Sequence, residues 1–281
     1  MRQMTVFTHR SPDDTREALD LLISRAADAG VTLRMDEEET AKHSLSPSAS
    51  VNVNAPNIDD VELCIVLGGD GTILRALQRY ARTPVPVFAI NYGAIGFLAT
   101  VEPQDIEEGV QRALAGDFEL LRLPGIVLET DGMRQTAIND VAIHRKVGER
   151  VAELAYSLEG ELAGSVRCDG LVVATPAGST GYNLANGGPV MAWGVEGFVV
   201  SFISPHSMSA RALVVAPGDR MTIYNRSHEP LDIAVDGRPA GEIAAGGSVQ
   251  ASFAKDVGTL AQMPGSSFYR RLHEKFGRLA R

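Results

Sequence analysis

The stretch VELCIVLGGDGT, from Val61 to Thr72, decides the fold class of this chain. Its first seven residues form an almost continuous apolar run, of the kind that parallel sheets bury on both faces. Three glycines and one carboxylate, that of Asp70, follow at once and lead into a helix predicted over Ile73–Ala81. Glycines let the backbone pass close to a ligand, and a strand end followed by a helix start suits an anion. The question is which chemistry needs an aspartate where phosphate-binding loops usually carry a lysine.

Length and composition limit the classes of protein to consider. A chain of 281 residues with 44% hydrophobic and 22% charged residues is typical of a globular protein of about two domains. The net charge of −9 disfavours a nucleic-acid partner, and no apolar stretch approaches the roughly 18 residues that cross a bilayer. The amino terminus lacks an apolar signal core, so we expect a cytoplasmic protein without a membrane partner. Two cysteines and six histidines show no metal-binding spacing.

Strand and helix signals alternate over residues 1–118, which predicts a Rossmann-like α/β domain with a parallel sheet. The predicted strands and helices are Met4–Thr8, a helix starting at Ser11, Val31–Met35, Val61–Leu67, Ile73–Ala81, Val85–Asn91 and Gln104–Ala115. Asp36–Asp60 is polar and aperiodic, so we predict a surface loop, or alternatively a flap near a ligand. Ligands of parallel sheets bind beyond the carboxyl ends of the strands, where LGGDGT and NYGAIGF (Asn91–Phe97) both fall.

Consecutive strand signals after about residue 118 predict a β-rich domain over 119–264. The predicted strands are Glu119–Glu129, Gln135–His144, Val151–Leu158, Leu171–Ala174, Phe198–Ile203, Leu213–Ala216, Arg220–Asn225, Leu231–Val235 and Ser248–Phe253. Asp131-Gly132 is a hairpin-turn signal between the first two. Phe268, Leu272, Phe276 and Leu279 return at helical spacing in the tail.

The glycine segment can bind anions through its backbone. The N–H groups near Gly68, Gly69, Gly71 and Thr72 could form a phosphate-binding nest at a helix start. The segment is neither a Walker A loop nor a complete dinucleotide fingerprint, because it has no lysine and Leu74 replaces the last glycine. Asp70 is poorly placed to hold phosphate but well placed to take a proton or hold Mg²⁺. The alternative is that Asp70-Gly71 forms only a tight turn.

A second polar cluster, DGLVVATPAGSTGYN, runs from Asp169 to Asn183. It is not a nucleophile elbow, because Ala177 stands two residues before Ser179 where a glycine is required. The hydroxyl of Thr180 could cap the following helical segment or contact a ligand, and the same holds for Tyr182. The density of polar groups exceeds what one helix cap requires.

Five motifs of this chain resemble, in their order, the motifs of the NAD kinase (ATP-NAD kinase) family. They are LGGDGT, NYGAIGFL, Asn139-Asp140, DGLVVATPAGSTGYN with GGP, and SPHSMSAR. The resemblance implies a phosphotransferase with an alcohol acceptor: it transfers the terminal phosphate of ATP to the 2′-hydroxyl of the adenosine ribose of NAD, with Mg²⁺ carried by the ATP phosphates. It also implies homodimers or homotetramers. It implies an α/β domain over 1–118, a β-sandwich-like NAD-binding domain over 119–264, and a helix within 265–281 that packs back on the first domain.

The resemblance also assigns roles to individual residues. Asp70 would activate or orient the 2′-hydroxyl. Residues that match the dinucleotide site are Asn139, Asp140, Asp169, Thr180, Tyr182 and Asp236. Asp236-Gly237 could equally be one more hairpin turn. Gly181 replaces the family's usual alanine, which is expected to loosen the adenine pocket. Two rival functions remain open: a lipid or sphingoid kinase that shares GGDGT, and a non-catalytic dinucleotide-binding regulator.

Overall fold

The computed structural model describes residues 2–93, 96–99, 101–130 and 132–277. In the first part of the chain the elements are β1 (Arg2–Thr8), α1 (Arg16–Asp28), β2 (Val31–Arg34), α2 (Glu37–His43), β3 (Val51–Asn52), β4 (Leu63–Gly68), α3 (Asp70–Arg79), β5 (Val87–Asn91) and α4 (Ile106–Ala115). The β-rich part that follows contains β6 (Glu119–Thr130), β7 (Met133–Ala137), β8 (Asp140–Arg145), β9 (Ala152–Leu158), β10 (Glu161–Cys168), β11 (Gly170–Ala174), α5 (Tyr182–Ala185), β12 (Phe198–Ile203), β13 (Leu213–Val215), β14 (Met221–Asn225), β15 (Leu231–Val235), β16 (Arg238–Ile243), β17 (Ser248–Gln262) and α6 (Phe268–Phe276).

The chain forms two compact units, one of Met1–Arg122 with Gly258–Arg281 and one of Leu123–Val257. The first unit holds a parallel sheet in the order β17-β5-β4-β1-β2-β3. Strand order reverses between β1 and β4, and such a switch point opens a crevice at the carboxyl ends of the strands. Strand β4 passes into α3 at this end of the sheet, so the fold places the glycine segment where ligands of parallel sheets usually bind. The division into functional domains at 118 and 264 stays a prediction.

Strand β4 is buried along its whole length, because β1 and β5 pair with it on either side and helices cover the sheet. Its core neighbours include Leu19, Leu33, Phe88 and Ile90. Continuous burial explains the unbroken apolar run and confirms the predicted strand. The predicted helix start at Ser11 is instead a 3₁₀ turn over Pro12–Thr15, and the α-helix begins four residues later than this turn does.

The second unit is antiparallel. One sheet has the order β13-β12-β11-β8-β15-β16, and β10, β9, β14 and β17 pair in a second. Side chains of both sheets share one core, to which Val141 and Val173 contribute from the first sheet and Leu154 and Ile223 from the second. The β-rich, sandwich-like second half of the predicted fold class is therefore confirmed.

Two strand predictions in this half are wrong, and two further strands were not predicted. Gln135–His144 is not one strand, because the chain leaves β7 at Ala137, pairs with a different sheet from Asp140 onward, and turns at Ile138-Asn139. The last strand continues to Gln262, well beyond the predicted end. Strands β10 and β16 were not predicted, because their largely exposed residues hide the apolar alternation. Thr130 pairs with Met133, which fits the predicted hairpin, although Asp131 itself lies outside the described residues.

The predicted loop over Asp36–Asp60 is also wrong in part. It contains the helix Glu37–His43, whose N-cap Asp36 accepts the N–H of Glu39 at 2.9 Å through Oδ1, and the short β3. The buried side of this helix consists of polar side chains, so apolar residues do not recur at helical spacing in its sequence. Glu39 is fully buried, and its Oε1 accepts hydrogen bonds from Lys42 and Arg75, each at 2.9 Å.

The tail forms the predicted helix, and it belongs to the first unit as the fold class requires. Helix α6 begins at Phe268 and places the rings of Phe268 and Phe276 against Phe97. Leu279, predicted on the same apolar face, lies outside the described residues. Among the described residues, no helix has the length and apolarity needed to span a membrane.

Candidate active site

The carboxylate of Asp70 is held by backbone amides. Its Oδ2 accepts the N–H of Phe97 at 2.8 Å, and its Oδ1 accepts the N–H of Leu98 at 3.2 Å. Asp70 is also the first residue of α3, after the extended N-cap Gly69. Two amides and a helix start fix the carboxylate at the sheet edge, so it is a rigidly placed acceptor rather than a mobile surface acid.

Glycines are required where the two glycine segments meet. A Cβ on Gly93 would lie 2.6 Å from the Cα of Gly69, closer than carbon atoms can approach. A Cβ on Gly96 would overlap the carboxylate of Asp70. The backbone of the second glycine segment therefore packs directly on the first, and this packing brings the Phe97 and Leu98 amides to Asp70.

The other predicted residues of the first glycine segment lie around this helix start. Gly68 ends β4, and a Cβ there would lie 2.8 Å from the side chain of Thr72. The N–H of Thr72 already donates to the carbonyl of Gly69 at 2.9 Å, whereas the space above Gly71 is open. The open backbone near Gly71 is thus the part of the segment best suited to receive an anion.

In the second unit, Asp236 anchors the turn that carries Asn139 and Asp140. Its Oδ1 accepts the N–H groups of Asn139 at 2.7 Å and Asp140 at 3.1 Å, while its Oδ2 accepts that of Ile138 at 2.9 Å. From the other side, Thr175 donates its hydroxyl to the Ile138 carbonyl at 2.6 Å and its N–H to the Asn139 carbonyl at 2.8 Å. Two side chains distant in sequence therefore fix the Asn139-Asp140 pair.

The hairpin-turn alternative for Asp236 is confirmed, and its place near a dinucleotide stays a prediction. Asp236-Gly237 is the two-residue turn between Val235 and Arg238, with φ of 48° and 75°, as a type I′ hairpin requires. Its carboxylate at the same time organises the predicted site. Neither this second role nor that of Thr175 could be predicted from local motifs, because both depend on contacts between distant strands.

Asp140 is a buried carboxyl with an unusual proton affinity. Burial, and after it the negative charge of Asp236, raises the pKa of Asp140 to about 7. A carboxyl that titrates near neutrality can donate as well as accept a hydrogen bond. Beside it, the buried Oδ1 of Asn139 has no hydrogen-bond partner among the described residues. A buried acceptor of this kind calls for an N–H or O–H donor from a ligand or water.

Asp169 is paired rather than free. Arg145 Nε contacts Asp169 Oδ1 at 2.6 Å, and the same arginine lines a cavity of about 630 Å³ whose walls include Arg167 and Arg226. Arg145 was not predicted as a partner of Asp169, because the pairing of their strands brings the two side chains together. The predicted dinucleotide acid therefore lies next to a cluster of basic side chains.

Tyr182 lies near both predicted acids. Its ring stacks on His144 with centroids 5.8 Å apart and an interplanar angle of 28°. Burial raises the pKa of Tyr182, and the charges of Asp140 and Asp169 raise it further, so the three side chains share one environment. The exposed fraction of Tyr182 is 38%, which leaves an aromatic face accessible to a base or nicotinamide ring.

The hydroxyl cluster around Thr180 is mostly used within the protein. Thr180 donates to the Ala177 carbonyl at 3.2 Å, as a local turn would require. Ser179 Oγ donates to the Pro176 carbonyl at 2.7 Å and accepts the N–H of Met191 at 2.8 Å. These bonds hold the turn ahead of Tyr182 in one conformation. They also explain the density of polar residues there.

No group of three or more His, Cys, Asp or Glu side chains that could hold a metal ion occurs within the described ranges. A single carboxylate at position 70 does fit Mg²⁺ that arrives bound to nucleotide phosphates, since Mg²⁺ commonly uses one or two carboxylates plus substrate oxygens.

Two protein-family models match the sequence of this chain. The ATP-NAD kinase N-terminal domain matches residues 7–118, and the ATP-NAD kinase C-terminal domain matches residues 138–257. The NAD kinase of Rhodopirellula baltica is 36% identical over 226 residues, which cover 78% of this chain and 72% of that protein. The NAD kinase of Gemmatimonas aurantiaca is 32% identical over 281 residues, covering 97% and 94%.

Two crystal structures share the fold. A yeast NADH kinase complexed with NADH superposes with a TM-score of 0.86 at 22% identity, covering 99% of this chain and 88% of that one. An NAD kinase from Archaeoglobus fulgidus in complex with ATP superposes with a TM-score of 0.76 at 24% identity, covering 100% and 99%. At these identities the similarity establishes the fold.

Proposed function

The chain belongs to the ATP-NAD kinase family, and on that premise we propose that it transfers the terminal phosphate of ATP to the 2′-hydroxyl of the adenosine ribose of NAD. The products are NADP and ADP. The observation that carries the catalytic part of the proposal is the fixed carboxylate of Asp70, which two backbone amides hold at the edge of the sheet.

Asp70 would act on the acceptor hydroxyl. In our proposal the 2′-hydroxyl gives its proton to the Asp70 carboxylate while its oxygen bonds to the terminal phosphorus of ATP. The bond from that phosphorus to the bridging oxygen breaks, and ADP leaves with the bond electrons. Phosphoryl transfer needs positioning and charge neutralisation more than covalent chemistry. General-base assistance contributes roughly 10²- to 10⁴-fold in rate.

The second unit would hold NAD. The unpartnered Oδ1 of Asn139 and the carboxyl of Asp140 suit the hydroxyls of a ribose, which can donate and accept. The exposed face of Tyr182 suits stacking on a ring. We assign Asp169 to the nicotinamide end, Thr180 to the wall of the site, and Asp236 to the support of Asn139.

The donor phosphates would lie against the first glycine segment. The backbone from Gly68 and Gly69 to Gly71 and Thr72 faces the carboxyl edge of the sheet, and the start of α3 favours negative charge there. Mg²⁺ would enter with the ATP phosphates and would neutralise part of their charge, and Asp70 could supply it with one carboxylate oxygen. We further propose a cytoplasmic homodimer or homotetramer, as the family resemblance implies; light scattering of the purified protein tests the assembly.

A coupled assay tests the function. Purified protein is mixed with ATP, Mg²⁺ and NAD, and NADP is detected with an NADP-specific dehydrogenase. NADP formation supports the kinase, NAD binding without turnover supports the regulator, and inertness toward NAD supports the lipid kinase. Asp70→Asn should lower kcat by roughly 10²-fold or more while the thermal unfolding curve is retained. Asp105→Asn, an exposed aspartate before α4 in the same unit, is the matched control and should keep full activity.

A further inference from the structure

Helix α6 lies on the residue that binds Asp70. The rings of Phe268 and Phe276 pack on Phe97 with centroid distances of 6.4 and 5.5 Å. The backbone N–H of that same Phe97 donates to the Asp70 carboxylate. Any movement of α6 against Phe97 would therefore change the position of the proposed catalytic carboxylate of Asp70.

A buried arginine of α6 completes this connection. Arg271 is only 8% exposed, and its Nη1 donates to the carbonyl oxygen of Phe97 at 2.5 Å. Phe97 is thus held by its carbonyl, its ring and its N–H, and the last of these bonds ends on Asp70. Burial lowers the pKa of Arg271 to about 10, and the charges of Asp70 and Glu102 oppose that shift, which places the guanidinium in their field.

A lysine one turn further along faces the same place. The Nζ of Lys275 lies 5.5 Å from the centroid of the Phe97 ring. Burial lowers the pKa of Lys275, while the negative charges of Asp70 and Glu102 raise it. Within the described residues no carboxylate forms an ion pair with this ammonium. A half-buried cation without an adjacent acid is costly unless it meets an anion in the working state.

Phosphoryl transfer supplies such an anion. Enzymes that transfer the terminal phosphate of ATP place cations against its oxygens, and in Walker loops a lysine of the loop serves this purpose. The segment LGGDGT has no lysine. We propose that Lys275 supplies this missing charge from helix α6 and contacts the transferring phosphate, and that Arg271 is a positioning residue that holds Phe97, and through it Asp70, in place. In this proposal Lys275 acts through its charge alone and neither gives nor takes a proton.

This inference rests on the proposed function, so the assay of the unmodified protein comes first. Once that protein forms NADP, Lys275→Met should lower kcat by roughly 10²- to 10³-fold, the usual effect of removing one group that stabilises transition-state charge. The KM for NAD should stay within about twofold, and Lys275→Arg should recover part of the loss. The matched control is Arg270→Met, which removes an exposed cation from the same helix and should leave kcat unchanged.

The affinities for ATP and ADP distinguish direct contact of Lys275 with the terminal phosphate from a purely structural role of this lysine. If Lys275 meets the terminal phosphate, Lys275→Met should weaken ATP binding by about tenfold in calorimetry and leave ADP binding nearly unchanged. A merely structural lysine would shift both affinities together. Arg271→Lys should instead lower kcat and leave the affinities for ATP and for ADP unchanged. The inference is overturned if Lys275→Met keeps kcat within twofold of an active unmodified protein, or loses both affinities equally; an inactive unmodified protein would overturn the proposed function instead.

Discussion

Asp236 and Asn139 lie 97 residues apart in the chain, yet Oδ1 of Asp236 accepts the N–H of Asn139 at 2.7 Å. The same carboxylate binds the N–H groups on either side, so one side chain determines the path of the backbone through the proposed ribose site. The chain thereby uses a hairpin turn as the support for a neighbouring segment of another strand.

Asp236→Asn should therefore weaken NAD binding without removing any group that touches NAD. The amide nitrogen would face N–H donors, so at least one of the three bonds would be lost, at about 1 to 3 kcal/mol. We expect a KM for NAD about tenfold higher and a lower melting temperature. Asp256→Asn is the control, because Asp256 is exposed and has a similar φ of 52°. An unchanged KM for NAD would show that Asn139 does not depend on Asp236.

Gly96→Ala should displace the Asp70 carboxylate while leaving the acid in the protein. The added Cβ would overlap the end of the Asp70 side chain, which can rotate away, so the fold should survive. Misplacement of a catalytic group by about 1 Å costs roughly 10²-fold in rate. We expect a loss of that size in kcat, measured beside Gly194→Ala, since the space around Gly194 is open. Full activity of Gly96→Ala would mean that the position of the carboxylate does not matter.

Asp140 should make stability depend on pH in the direction opposite to most carboxyl groups. Its folded-state pKa is raised to about 7, from 3.8 for an unperturbed aspartate, so the folded protein binds more protons than the unfolded chain between these values. The free energy of unfolding should fall as pH rises from about 4 to 7. Asp140→Asn should remove this fall, whereas Glu161→Gln, at an exposed position of the same unit, should keep it. Melting temperatures of these proteins between pH 5 and 8 test the prediction. If the melting temperatures of Asp140→Asn and of the unmodified protein change with pH in parallel, the raised pKa of Asp140 is contradicted.

Glu39→Gln should destabilise the first unit. Glu39 is fully buried, and its carboxylate accepts hydrogen bonds from Thr8, Lys42 and Arg75. Removing its charge leaves Lys42 and Arg75 to the exposed Glu38 and breaks the buried ion pairs, which typically costs about 3 kcal/mol or more. Chemical denaturation should show this loss. Glu38→Gln tests a neighbouring acid that also pairs with Arg75 but is exposed, and it should cost less than about 1 kcal/mol.

Much of the first unit could be predicted from sequence, because buried parallel strands appear as apolar runs. Strand β4 and its glycine segment are the clearest case. Helix α2 escaped prediction, because its buried face consists of Glu39, Thr40 and His43, and an apolar period never forms. The single strand expected over Gln135–His144 was wrong for a different reason. Its break at Ile138 depends on the distant Asp236, and no local signal reveals that contact.

The candidate site was predictable as a set of residues but not as a set of contacts. Asp70, Asn139 and Asp169 stand in recognisable motifs. Their partners do not: Arg145 reaches Asp169 only through strand register, and the Phe97 amide reaches Asp70 only because Gly93 and Gly69 touch. Short-range patterns therefore predict a set of candidate side chains, and the tertiary structure determines what each of them is bonded to.

The first compact unit is assembled from both ends of the printed sequence, since it needs residues beyond 257 as well as those up to 122. Strand β5 pairs with Leu260-Ala261 on the side away from β4, and rings of α6 pack on Phe97. During synthesis on the ribosome, the whole β-rich unit must emerge before the sheet and the loop around Asp70 can be completed. A nascent chain released before that point would carry Asp70 without the helix that packs on Phe97, the residue whose N–H binds the Asp70 carboxylate.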